Sequence, residues 1–217
     1  MSERHYIVFE GAIGAGKTTL ATIFAERLDG RLVEEKFEEN PFLIDFYRDP
    51  RRYAFQTELF FLLSRYRQQT EQFAQPDLFQ RFVFSDYHFV KNRIFAHLTL
   101  DEREYQLYDM VANRLEKDIL PPDLMVYLQS TPERLMKNIR KRDRSFERNM
   151  NLAYIVSLVE AYNQFFFHYD ASPLLIVNST AVDFAGSEAK LDELMEYVLN
   201  APNGTSYYNP APEEIGR

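Results

Sequence analysis

Eight consecutive residues, Gly11, Ala12, Ile13, Gly14, Ala15, Gly16, Lys17 and Thr18, follow the spacing G-x-x-x-x-G-K-[ST], and Thr19 continues the polar run. Glycines at this spacing let successive backbone N–H groups turn inward around a phosphate, where side chains would obstruct the approach. A helix starting at the end of such a loop adds partial positive charge. Lys17 then reaches the outer phosphates, and the Thr18 hydroxyl offers a ligand to a magnesium ion bridging them. The competing explanation, a glycine-rich turn without a ligand, loses weight because a strand before the loop and a helix after it are both legible. The chemistry indicated is the holding of a nucleotide polyphosphate with Mg2+.

The elements that must position this loop follow from periodicity. Tyr6 to Glu10 is a short apolar strand, and Thr19 to Ala25 carries apolar residues at helical spacing. Arg31 to Glu34, Phe82 to Ser85, Leu124 to Leu128 and Leu174 to Val177 read as four further strands. Between them fall helices near 42–47, 50–73, 90–98, 101–120, 132–142, 151–168 and 188–199, with Asp101 as a cap, Pro121-Pro122 as a stop and Pro132 at a first helical position. Short strands alternating with helices predict an α/β fold: a five-stranded parallel sheet in a three-layer P-loop arrangement, helices on both faces. In such sheets ligands sit at the carboxyl ends of the strands, which gathers residues 11–18, Glu34-Glu35 and Asp86 into one neighbourhood.

Within that neighbourhood Asp86 suits magnesium alongside Thr18, and Glu35 at the end of the second strand suits a general base, with Glu34, Glu38 and Glu39 competing for the role. Arg142 and Arg144, in a basic run where a helix should end, suit a lid over the donor phosphates; a solvated helix terminus would carry the same residues.

Composition bounds the rest. A chain of 217 residues, 46% hydrophobic, supports one sizeable core, and we expect one domain over 1–200 with a poorly ordered tail over 201–217, where Pro202, Asn203, Gly204, Pro210 and Pro212 cluster. The net charge of −8 argues against nucleic acid and anionic membrane as partners. The absence of cysteine excludes disulfides and thiolate chemistry, and with no apolar run of membrane-spanning length and no room for a signal peptide before the first strand it suggests a cytoplasmic protein. Apolar positions around much of the helices near 50–73 and 101–119 suggest a homodimer.

The sequence resembles the deoxyribonucleoside kinases, especially the bacterial deoxyadenosine and deoxyguanosine kinases, from Tyr6 to about Asn178. The resemblance rests on the loop, on Glu34-Glu35 with Glu39-Asn40-Pro41-Phe42-Leu43, on Phe46-Tyr47 with Tyr53-Ala54-Phe55-Gln56 and Ser64-Arg65-Tyr66, on Ser85-Asp86-Tyr87-His88-Phe89 with Lys91-Asn92, on Pro122-Asp123-Leu124, and on Arg142-Asp143-Arg144 with Phe146-Glu147. It implies ATP and Mg2+ as donor, and a purine deoxynucleoside as acceptor whose 5′-hydroxyl gives its proton to Glu35. Catalytic roles fall to Glu35, Lys17 and Arg142. Tyr47 and Glu147 match the pair that binds the 3′-hydroxyl. Glu58 matches the base-reading position, Gln56 being its rival if the register slips. Arg65 and Asn92 match a second base-reading set, and Asp86 with Tyr87 completes the acceptor side. Arg142 and Arg144 match lid arginines. A glutamate at 58 would accept the donors of guanine or, less completely, the adenine amino group, and Phe55, Phe84, Phe89 and Phe95 are candidates to stack on the base.

Three positions depart from the family pattern. Tyr87 stands where an arginine is common, so a positive charge must come from elsewhere, with Lys91 as a candidate; Asn138 replaces a lid arginine; Asp143 replaces a glycine. Two alternatives remain at this point: a nucleoside-monophosphate kinase of thymidylate kinase type, whose acceptor phosphate would meet Glu34, Glu35 and Glu58, and a nucleotide-binding switch, for which no switch sequence is evident.

Overall fold

The computed structural model describes residues 5–73, 81–148 and 150–211. Six parallel strands form one sheet in the order β2-β3-β1-β4-β5-β6: β1 (Tyr6–Glu10), β2 (Arg31–Val33), β3 (Val83–Ser85), β4 (Leu124–Gln129), β5 (Leu174–Asn178) and β6 (Thr205–Tyr208). β1 lies between β3 and β4, with Ile7 facing Phe84 on one side and Leu124 on the other. All five of its residues are buried, which is why its sequence shows an unbroken apolar run up to Glu10 rather than alternation.

The helices are α1 (Lys17–Arg27), α2 (Leu43–Arg48), α3 (Pro50–Phe73), α4 (Lys91–Thr99), α5 (Glu102–Leu115), α6 (Pro132–Arg142), α7 (Leu152–Phe167) and α8 (Glu188–Asn200). They cover both faces of the sheet. The main core runs through β1, β4, β5, α1 and α7, and a smaller one, built on Leu62, Phe89, Ala96, Tyr108 and Ala112, joins α3, α4 and α5. Local chemistry marks several boundaries. Asp101 accepts from the backbone N–H groups of Arg103 and Glu104 while Glu104 accepts from that of Asp101, a capping box contributing about 1 kcal/mol. Asp143 ends α6 in the left-handed conformation, φ 51°, so the position where the family carries glycine keeps a glycine-like backbone.

Two expectations need correction. The sheet has six strands, not five, because residues 205–208 of the expected unordered tail pair in parallel with β5, Leu174 opposite Thr205 and Val177 opposite Tyr208. Thr, Ser and two Tyr suit a strand, but Pro202, Asn203, Gly204 and Pro210 on either side disguise it. Residues 212–217 of that tail lie outside the described residues. The helix expected over 101–120 stops at Leu115 and tightens into a 3-10 turn over Glu116–Asp118 before the prolines. Among the described residues no helix is long and apolar enough to cross a membrane.

Candidate active site

The loop after β1 delivers α1 with Gly16 at its N-cap, and no side chain caps it. Gly14 and Gly16 hold φ of 86° and 91°, and a Cβ on Gly14 would lie 2.8 Å from the Leu135 carbonyl oxygen, so a larger residue there meets both strain and a clash. The uncapped helix start and the bare glycine backbone fit the phosphates of a nucleotide. Lys17 Nζ donates to the carbonyls of Gly11 (2.8 Å) and Ala12 (3.1 Å), which lays the ammonium across its own loop. Burial, helped by the charge of Lys91, lowers it to about 8.

Two cavities flank this loop. The larger, about 590 Å³, is bounded by Gly14, Ala15, Gly16 and Thr19, by Arg134, Asn138, Lys141 and Arg142 of α6, and by the segment from Val182 to Gly186 after β5. The Asn138 amide donates to the Gly14 carbonyl at 2.8 Å, so the residue that replaces a lid arginine tethers α6 to the loop instead. The smaller cavity, about 100 Å³, lies on the other side of Gly14 and Arg142, which border both. Its walls include Lys17, Thr18, Glu35, Asp86 and Lys91, and at its far end Tyr47, Glu58, Arg65 and Glu147.

Asp86, at the end of β3, joins the two halves of the chemistry. The Thr18 hydroxyl donates to Asp86 Oδ2, and the Glu35 backbone N–H donates to Asp86 Oδ1 at 2.8 Å. A hydroxyl beside a carboxylate is a donor set that fits Mg2+. Glu35 sits between cations: Arg65 Nε and Nη2 approach Oε1 at 2.7 and 2.5 Å, and Lys91 Nζ approaches Oε2 at 2.5 Å. Burial alone would raise the Glu35 carboxyl, but the charges of Arg65 and Lys91 outweigh it and hold it well below the usual carboxylate range. Its rivals Glu34, Glu38 and Glu39 are all exposed and border neither cavity.

At the far end, Glu147 closes a 3-10 turn and is 5% exposed; Arg142 Nη2 bonds both its oxygens, at 2.6 and 2.7 Å. The Tyr47 ring stacks on Phe146 at 5.8 Å. Burial, with the charge of Glu147, raises the Tyr47 phenol, so it stays a neutral donor. Glu58 is 2% exposed, accepts from Thr99 Oγ1 at 3.2 Å, and has no partner for Oε2 among the described residues. Deeper still, Glu10 accepts from the backbone N–H of His88 (2.7 Å) and of Gly11 (3.2 Å), tying the loop to the segment that carries Asp86.

Several expected site residues stand elsewhere. Gln56 is exposed and borders neither cavity: two residues from Glu58 on a helix, it points away, which removes it as the rival base reader. Tyr87 is fully buried and borders neither cavity, and Ser85 Oγ donates to its carbonyl. Asn92 is also fully buried; its Oδ1 accepts from Arg65 Nη1 at 2.5 Å, so it holds Arg65 rather than lining the cavity. Arg144 borders the smaller cavity and not the larger, its guanidinium 4.2 Å over the Phe37 ring. Gly11 and Ala12 border neither cavity and serve Lys17 with their carbonyls. Of the four phenylalanines, only Phe95 borders the smaller cavity; Phe84 and Phe89 are core, Phe55 packs on the smaller core, and Phe37, Phe46, Phe61 and Phe146 also border the cavity. Sequence reasoning also missed Lys141, Arg134 and the 182–186 segment; the rule that selects strand ends, applied to β5, would have found the last.

The sequence matches the family described as deoxynucleoside kinase over residues 7–201. It is 32% identical to a deoxyguanosine kinase of Bacillus subtilis over 208 residues, covering 91% of this chain and 98% of that one. It is 34% identical to a deoxyadenosine kinase of Dictyostelium discoideum over 165 residues, covering 75% and 67%. Among solved structures, deoxyadenosine kinase from M. mycoides with bound dATP superposes with a TM-score of 0.75 over 88% of this chain and 97% of that one, at 24% identity, a likeness of fold.

Proposed function

The chain belongs to the deoxynucleoside kinase family, and on that premise we propose that it transfers the terminal phosphoryl group of ATP to the 5′-hydroxyl of a purine deoxynucleoside. The observation that carries the reading is the pair of cavities meeting at Gly14 and Arg142, one walled by the loop and the basic face of α6, the other by Glu35, Glu58 and Glu147. ATP occupies the larger, its phosphates on the backbone of Gly14, Ala15 and Gly16 at the start of α1. Thr18 and Asp86, which border the smaller cavity beside Gly14, would hold Mg2+, which when bound would neutralise phosphate charge. Lys17 and Arg142 reach the phosphate chain from two sides.

In the smaller cavity the acceptor's 5′-oxygen approaches the terminal phosphorus as its proton passes to Glu35; an O–P bond forms, the bond to the ADP oxygen breaks, and ADP leaves. A carboxylate of low proton affinity suits this reaction, because a loose transition state asks for an ionised, oriented acceptor late in the transfer rather than a strong base. Lys91 supplies the positive charge that the family places one residue after the acid. Tyr47 and Glu147 take the sugar 3′-hydroxyl, while Glu58 and Arg65, held by Asn92, face the base.

A monophosphate acceptor fits less well. Four of the cavity's cations are already engaged with carboxylates, Arg65 and Lys91 with Glu35, Arg142 and Arg144 with Glu147, the fifth, Lys17, lies on the loop on the donor side, and Glu58 adds a carboxyl outside these ion pairs. The assay is ATP with magnesium and either a deoxynucleoside or its monophosphate. We expect one ADP per deoxynucleoside monophosphate formed; ATP consumption indifferent to the deoxynucleoside refutes the reading.

Assembly follows from surface chemistry. Leu63 of α3 and Leu107 and Met110 of α5 are exposed by 49%, 54% and 73%, an apolar surface suited to a second copy in a homodimer.

A further inference from the structure

Resting on the kinase reading above, we infer that the proton on Glu58 chooses between purines: the carboxylate takes guanine, and the acid takes adenine. The inference starts from an orphan. Glu58 borders the acceptor cavity, is almost wholly buried, spends Oε1 on the Thr99 hydroxyl, and has no partner for Oε2 among the described residues. A buried carboxylate oxygen without a donor is costly, and a ligand that brings donors removes the cost. Arg65 lies two turns further along α3 on the same buried face and borders the same cavity, so an acceptor and a donor line one cavity.

Guanine matches that order. Its N1–H and exocyclic N2–H are adjacent donors for a carboxylate, and its O6 is an acceptor for a guanidinium. Adenine presents the reverse, a lone pair at N1 and a donor at N6. Against ionised Glu58 the N1 lone pair meets another lone pair; against protonated Glu58 the O–H donates to N1 and the carbonyl oxygen accepts from N6. One proton therefore inverts the preference.

The surroundings leave Glu58 free to carry that proton near neutral pH. Burial raises its carboxyl to about 7, against the pull of Arg65 on its own helix and of Lys91 on α4. Glu35, facing it from the end of β2, is held ionised by its two cations. Tyr47 on α2, Tyr108 on α5 and Tyr154 on α7 all feel Glu58, and burial raises each phenol, so they remain neutral.

The test is a competition between equimolar deoxyguanosine and deoxyadenosine for limiting full-length enzyme with ATP and magnesium, reading the ratio of the two monophosphates. Steps common to both acceptors cancel in this ratio. We expect the guanine-to-adenine ratio to fall at least about tenfold from about pH 8 to about pH 6. Deoxyinosine, which keeps N1–H and O6, should follow deoxyguanosine. In Glu58→Gln the ratio should be flat with pH. A flat wild-type ratio, or the same slope in Glu58→Gln, overturns the inference while leaving the kinase reading intact. A product of only one of the two acceptors, unchanged with pH, overturns the inference alone, and absence of both monophosphates at every pH removes the kinase reading as well.

Discussion

Lys91 Nζ lies 2.5 Å from Glu35 Oε2 while Arg65 holds the other oxygen of the same carboxylate. Arg65 is pinned by Asn92 and by the Phe61 ring 4.5 Å beneath it; Lys91 is a point charge on a flexible stem. On the proposed reading the oxygen facing Lys91, held by one donor rather than two, is the one that an incoming alcohol reaches. Glu35→Gln should lower kcat by roughly 10² or more, with ATP affinity measured by calorimetry within a few-fold of wild type. Normal turnover in that variant would show that the reaction runs without this carboxylate.

Lys91→Met should reduce kcat more than it raises the KM for deoxynucleoside, by roughly 10-fold or more if its ammonium follows the charge developing on the phosphoryl group, and Lys91→Arg should recover part of the loss. Equal activity in wild type and Lys91→Met would leave the charge missing at Tyr87 without a substitute.

Tyr47 and Glu147 both border the smaller cavity, and on the proposed reading an acceptor lacking the 3′-hydroxyl takes a partner from the Tyr47 phenol and leaves Glu147 with Arg142 alone. Wild type should therefore prefer the 2′-deoxynucleoside over its 2′,3′-dideoxy analogue in kcat/KM, and Tyr47→Phe should narrow that preference by roughly tenfold. An unchanged preference would place the sugar elsewhere.

Asn138→Ala removes the amide that holds the Gly14 carbonyl. A lost hydrogen bond of about 1 kcal/mol predicts a rise in the KM for ATP of roughly fivefold, with the KM for the acceptor unchanged. If both constants move together, the tether positions more than the donor side.

Glu58 also sets a pH signature on stability. Its carboxyl is raised by burial to about 7 in the folded chain, so between the ordinary carboxylate range and about 7 the folded state binds more protons than the unfolded one. Stability from this group is present at low pH and lost as pH rises through the folded value. The Tm of ligand-free Glu58→Gln minus that of wild type should grow from about pH 5 to about pH 8; a difference that stays constant or shrinks contradicts the assignment of the titration to Glu58.

Local chemistry made much of this legible. The loop, its strand and its helix announce themselves because glycine, lysine and threonine have few other reasons to stand at that spacing, and the strand-end rule brought Asp86 to Thr18 across 68 residues. Relations set by packing were not legible. Gln56 and Glu58 differ in role only through the phase of α3, whose buried face carries the polar residues Thr57, Glu58, Arg65 and Gln69 where an apolar stripe is the usual signal. The pairing of Glu35 with Lys91 spans 56 residues, and no period in the sequence encodes it. β6 is short and flanked by turn formers, so only its partner β5 defines it.

Arg142 borders both cavities while gripping Glu147 with three bonds. If donor phosphates draw this guanidinium toward themselves, they loosen its hold on the carboxylate that greets the sugar, and by reciprocity the sugar's arrival favours the donor. Affinity for either substrate then becomes a property of the pair. An inhibitor carrying a nucleoside at one end of a polyphosphate tether and adenosine at the other would collect both gains with a single molecule.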